Sequence, residues 1–108
     1  MINLEIEHLE DGAKVHLDGD MTIYGAAELK PQLLAALAEH TSLTLDLAAV
    51  DELDSAGVQL LLLLKQEADR QHKALRLTHH SEPTVEVFEL LHLAPIFGDP
   101  VLLRAERA

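Results

Sequence analysis

Two hydrophobic periods alternate along this chain, and their order restricts the folds open to it. Residues 2–8 read Ile-Asn-Leu-Glu-Ile-Glu-His, apolar at every second position, the period of a half-buried strand. Asp11-Gly12 is a turn pair, and Lys14-Val15-His16-Leu17-Asp18 alternates again. A hairpin is predicted, closed off by Gly19-Asp20. Over residues 24–39 the period lengthens, with Leu29, Leu33, Ala36 and Leu37 at helical spacing. Asp20 or Thr22 is placed to cap this helix. Pro31 is expected to kink it or to mark where its regular part begins. Leu43-Thr44-Leu45-Asp46-Leu47 is a strand, residues 56–71 a helix, and Leu75-Arg76-Leu77 another strand. Ser81-Glu82-Pro83-Thr84 opens a third helix through about Leu93, with Pro83 in the tolerated first turn. Val87, Phe88 and Leu91 would face inward, and Pro95 ends the helix. Pro100-Val101-Leu102-Leu103 reads as a last edge strand.

The order β-β-α-β-α-β-α-(β) defines an α/β chain. Each helix between strands implies a right-handed crossover and a parallel pair, while the hairpin adds an antiparallel edge. A mixed sheet flanked by helices follows, on one face or both. With 108 residues the chain fits a single domain spanning 1–108. Its only aromatic residues are Tyr24, Phe88 and Phe97, so Leu, Val, Ile and Ala must build the core.

The absence of cysteine excludes disulfides, thiol catalysis and Cys-ligated zinc, and it favours the cytoplasm. No signal peptide is visible at the N-terminus. The longest apolar runs, Leu33 to Ala38 and Leu60 to Leu64, are far below the ~20 residues of a membrane helix. A net charge of −11 repels phosphate backbones and anionic headgroups. Neither nucleic-acid binding nor direct membrane insertion is expected; basic protein surfaces are the natural complement.

The stretch Asp51-Glu52-Leu53-Asp54-Ser55-Ala56-Gly57 joins the third strand to the second helix. At ~100° per residue, Gly57, Leu60, Leu61, Leu64 and Ala68 form the sheet-facing stripe. Gly57 allows the helix start to press on the strand ends. Ser55, Val58, Gln59, Leu62 and Gln66 fall on the opposite, outward arc. From spacing alone, Ser55 is a helix N-cap whose oxygen accepts a first-turn N–H, worth ~1 kcal/mol. The same place suits a switch. Free N–H groups and the macrodipole tolerate an anion there, and phosphorylation adds about −1.5 to −2 charges. Were the outward face a docking surface, that charge would land inside the interface. The carboxylates of Asp51, Glu52 and Asp54 read as a solvated loop with candidate caps.

These residues carry a family resemblance. From about residue 2 to 103 the chain resembles the STAS domain of bacterial anti-sigma-factor antagonists and their relatives. Gly19-Asp20 before a helix is similar to the family's Gly-(Glu/Asp)-Leu loop, with Met21 where Leu is usual. Leu45-Asp46-Leu47 leading to Asp54-Ser55-Ala56-Gly57 resembles its Asp-(Ser/Thr)-x-Gly signature. Ser81-Glu82-Pro83-Thr84-Val85 and Leu90-Leu91-His92-Leu93 resemble its last helix. The resemblance implies a STAS-type mixed sheet and places Ser55 at the position phosphorylated in the antagonists. It implies a partner that is an anti-sigma factor or related protein kinase with an ATP-binding kinase fold. The partner-binding surface would then comprise Asp20, Asp54, Ser55, Ala56, Gly57, Val58, Gln59 and Leu62. One departure is Gly57-Val58-Gln59, where antagonists usually continue Gly-Leu-Gly. That brings the chain nearer to other small STAS proteins, including the cytoplasmic subunit that docks on an ABC-transporter ATPase in phospholipid transport.

Other constellations carry less. Seven histidines invite a metal, but no pair has the i, i+4 spacing of a helical zinc site, and no metal or cofactor is expected. Ser55 lacks the Gly-x-Ser-x-Gly elbow of a hydrolytic nucleophile. The expected protein is a binding module, not an enzyme.

Overall fold

The computed structural model describes residues 2–97. Strand β1 (Ile2–Leu9) pairs antiparallel with β2 (Gly12–Met21), in register from Ile2 opposite Gly19 to Leu9 opposite Gly12. Helix α1 (Ile23–Glu39) crosses over to β3 (Ser42–Leu53), which lies parallel to β2. Helix α2 (Ser55–Arg70) leads to β4 (Ala74–Thr78), parallel to β3. Helix α3 (Glu82–Leu90) and a short 3-10 helix (Ala94–Phe97) follow. Sheet order is β1-β2-β3-β4, the mixed sheet that the alternation of periods predicts. The expected strand at Pro100–Leu103 lies outside the described residues.

Strand alternation decides which face the helices cover. Val15, Leu17, Leu43, Leu45, Leu47, Leu75 and Leu77 are all buried. They join Leu29, Leu33 and Leu37 of α1, Leu61, Leu64 and Ala68 of α2 and Phe88 of α3 in one cluster. The intervening Lys14, His16, Thr44 and Asp46 are half-buried on the opposite face. Asp46 gathers Lys14 at 3.8 Å and His16 at 3.4 Å there. The core thus lies on one side of the sheet, and polar contacts line the other.

Four local expectations need correction. First, β2 does not stop at Gly19-Asp20, and Asp51 and Glu52 are not in a loop. Pairing resumes after two register irregularities, with Asp20 opposite Glu52 and Met21 opposite Leu53, so both strands run to the helix starts. Second, α1 runs unbroken through Pro31. Pro31 and Ala27, whose carbonyl loses its i+4 donor, are both exposed, so water can take the donor's place. Third, Thr22 sits at the N-cap of α1 but supplies no side-chain cap bond. Fourth, α3 stops at Leu90, and Leu91 is exposed instead of buried; Phe88 is buried and Val87 half-buried. Pro95 lies in the 3-10 helix, beyond the point where α3 has already ended.

The end of α3 explains the Leu91 error. His92 adopts φ +53, with its N–H on the Glu89 carbonyl, and the Leu93 N–H reaches back to the Phe88 carbonyl at 3.0 Å. That is a Schellman closure, which turns Leu93 into the core in place of Leu91. Helix α2 ends the same way: His72 has φ +57, and Lys73 N–H bonds the Ala68 carbonyl at 2.8 Å. Both closures put histidine where glycine is the unstrained choice. His72→Gly is therefore expected to raise stability by about 0.5–1 kcal/mol, the relief of left-handed strain less the added unfolded-state entropy. A thermal melt should show a midpoint a few degrees higher; a lower midpoint would mean that the imidazole contributes more than the strain costs.

Candidate functional site

The helix starts α1 and α2 meet the sheet at the same corner. Each does so through a glycine seated on a strand carbonyl. A Cβ on Gly25 would overlap the Asp20 carbonyl oxygen, and one on Gly57 would overlap that of Met21. Consecutive carbonyls of β2 therefore seat two helices side by side. The pressing of Gly57 on the strand ends, expected from sequence, is realised in this way.

One carboxylate ties the corner together. Asp54 is the N-cap of α2, and Ser55 is the first helical residue, so the expectation that Ser55 caps the helix is corrected. Asp54 Oδ1 accepts from Ala56 N–H at 2.9 Å and Gly57 N–H at 3.1 Å. Asp54 Oδ2 accepts from Ile23 N–H, the first residue of α1, at 3.0 Å. Its own N–H bonds the Met21 carbonyl at 3.3 Å. A carboxylate suits a place where two helix N-termini converge, since both present free donors and positive dipole ends. Asp54 takes two orphan donors of α2 and the leading donor of α1 at once.

With Asp54 in the capping role, the Ser55 side chain is released. Ser55 is exposed, and no side chain among the described residues hydrogen-bonds its hydroxyl. Among the described residues no base holds that oxygen, which is exposed to solvent. Gln59 is exposed, while Ala56 and Leu62 are half-buried. Asp20 and Asp54 are also half-buried. Val58 is a correction: it was placed on the outward arc but is only 6% exposed. The helix lies deeper than a single-stripe projection allows, because Gly57 lets its first turn sink onto Met21. Gly57 itself is buried and seats the helix on the Met21 carbonyl.

Two depressions flank Ser55. An open groove of about 560 Å³ runs between α1 and α2, lined by Ile23, Ala27, Lys30, Gln59, Leu62 and Gln66 among others. A smaller hollow of about 270 Å³ lies between the end of β3 and α3 and includes Asp51, Glu52, Asp54 and Glu86. The corner is thus apolar on one flank and acidic on the other. Ile23 and Tyr24 stand 64% and 84% exposed at the start of α1. The sequence reading names neither as a site residue. Neither falls on the stripe through Leu29 and Leu33, and a large apolar pair off the buried stripe was the available signal.

A family model described as "Mlab, STAS domain" matches residues 4–103. The chain belongs to the STAS domain family. Among STAS relatives, the anti-sigma-B factor antagonist of Bacillus subtilis (strain 168) is 24% identical over 95 residues, covering 88% of this chain and 87% of that protein. The crystal structure of an anti-sigma factor antagonist from Mycobacterium paratuberculosis has a TM-score of 0.82 at 22% identity, with 94% of this chain and 88% of that chain covered. The Bacillus cell fate determinant SpoIIAA, in its phosphorylated form, has a TM-score of 0.68 at 19% identity, covering 86% of each chain. The STAS fold is therefore shared, and in this STAS domain the Asp54-Ser55 corner is where β3 hands over to α2. Among the described residues no helix is long and apolar enough to cross a membrane.

Proposed function

We propose that this STAS protein is an anti-sigma-factor antagonist-type adaptor switched by phosphorylation of Ser55. Unmodified, it binds an anti-sigma factor or related kinase with the ATP-binding kinase fold. The surface comprises Ser55, Ala56, Gln59 and Leu62, with Asp20 and Asp54 at its edge and Ile23 and Tyr24 added from α1. Phosphorylated, it releases. The observation that carries this reading is the exposed, uncommitted hydroxyl at the first position of α2, directly after the aspartate that does the capping. A hydroxyl serving as the cap would be tied to backbone donors and would break the helix start when modified. Here the capping bonds belong to Asp54, so phosphate can be added while the helix stays closed.

The relatives named above support the same reading, since they are anti-sigma-factor antagonists and one of them was solved in a phosphorylated form. None of those three is named as a transporter subunit, so the ABC-transporter reading gains no support from them. The experiment combines the protein, its candidate kinase-fold partner and Mg-ATP, followed by intact mass. A gain of one phosphoryl group that disappears in Ser55→Ala is the expected result. Stable complex formation with no mass change would refute the switch and leave a constitutive binding module.

A further inference from the structure

The histidine pair that matters is not one that sequence spacing could show. His8, near the end of β1, and His40, just past the end of α1, are 32 residues apart, yet His8 Nδ1 lies 3.2 Å from His40 Nε2. Their ring centroids are 5.2 Å apart, with the planes inclined by 31°. We propose that His8 and His40 form a two-histidine site for a borderline divalent transition metal of the Zn2+ class.

Three features of the geometry carry it. The first is spacing. Two imidazole nitrogens bound to one tetrahedral zinc, each at about 2.0–2.1 Å, are separated by about 3.3–3.4 Å. The pair already stands at nearly that distance. The second is tautomer. His40 Nδ1–H donates to the Ala36 carbonyl at 2.8 Å. This fixes the proton on Nδ1 and leaves Nε2 as the lone-pair nitrogen, the backbone-anchored arrangement that orients metal-ligating histidines. His8 Nδ1 now shares a hydrogen with that lone pair. Tautomerisation of His8, with its proton moving through solvent from Nδ1 to Nε2, and a rotation of the exposed ring would turn both lone pairs toward a common point. The third is charge. A chain at −11 attracts divalent cations from solution.

The other histidines have different occupations. His72, His79 and His92 hold left-handed backbone positions at turns, His16 contacts Glu7 and Asp46 on the polar sheet face, and His80 is buried with its ring edge-on to Phe88. No third His, Cys, Asp or Glu among the described residues completes a metal-binding group. Water would fill the remaining positions, which makes the site open and exchangeable, of micromolar class rather than a folding centre.

The test is calorimetric titration of zinc sulfate into the tag-free, chelator-stripped full chain, with the imidazole NMR signals followed in parallel. One equivalent should bind, and the His8 and His40 ring signals should shift first. His8→Ala and His40→Ala should each weaken binding at least tenfold, whereas His92→Ala should leave it unchanged. His8 is exposed, so its replacement preserves the fold, and a thermal melt verifies this. Absence of saturable binding by the wild-type chain at millimolar zinc would overturn the proposal. So would equal loss in the His92 variant, or unchanged affinity in His8→Ala. None of these outcomes bears on the Ser55 switch.

Discussion

Replacing Asp54 with alanine is expected to cost ~3 kcal/mol, the largest stability loss of any single exposed or half-exposed position near the site. The magnitude follows from what the carboxylate holds. Removing a cap from α2 alone costs about 1–2 kcal/mol. The Ile23 N–H then loses a charged acceptor, and bonds to charged groups contribute about 1.5–3 kcal/mol. The two terms share one side chain, so they overlap in part. Urea denaturation should show a lower midpoint with an unchanged slope, because the native and unfolded surfaces are little altered. Asp54→Ser separates the two terms. A serine has one short oxygen, enough to cap α2 but not to serve Ile23 at the same time, so about half of the lost stability should return. If Asp54→Ala loses less than ~1 kcal/mol, the carboxylate does not couple the helices. Binding should fall with stability, since Ile23 and Tyr24 sit on the turn that Asp54 holds.

The second large effect concerns affinity. Phosphorylated Ser55 should bind the partner about a hundredfold more weakly than the unmodified protein, a loss of ~2.7 kcal/mol. A dianion forced into a closed interface without a cationic partner readily costs that much. Asp51 and Glu52, exposed on the same strand end, add to the local negative field. Ser55→Asp carries roughly half the phosphate charge and should weaken binding about tenfold, with fold and melting point unchanged. Ser55→Asn, of similar size and neutral, should bind nearly as the parent does. Calorimetry on the three forms distinguishes charge from bulk. Equal affinity for Ser55→Asp and the parent would remove Ser55 from the docking surface.

The fold was legible in the sequence wherever periodicity met burial. The alternation Leu43-Leu45-Leu47 and the stripe Leu60-Leu61-Leu64-Ala68 both emerge on the core side. The ends of elements were not legible, for reasons that lie in tertiary contacts. β3 continues through Asp51 and Glu52 because β2 offers it a partner, which local polarity does not reveal. Leu91 followed the helical period, but His92 ended the helix first, and nothing in a histidine announces a left-handed turn. At the site, Ser55 was found by its motif and its exposure holds. The sequence leaves both Ser55 and Asp54 as candidate caps by residue type, and only geometry shows that the aspartate caps and reaches two helices. Val58 was misplaced because a helical projection assumes a cylinder standing clear of its support, whereas Gly57 lets this one sink.

The glycine seats have a further consequence. Since Gly25 and Gly57 rest on main-chain oxygens and Asp54 grips main-chain N–H groups, the posture of the corner depends on two glycines, one carboxylate and backbone atoms. Outward residues such as Tyr24, Gln59 and Leu62 can then be exchanged with little effect on how the hydroxyl is presented. A mount of this kind would let the exterior vary while the Ser55 hydroxyl stays at a constant position and angle.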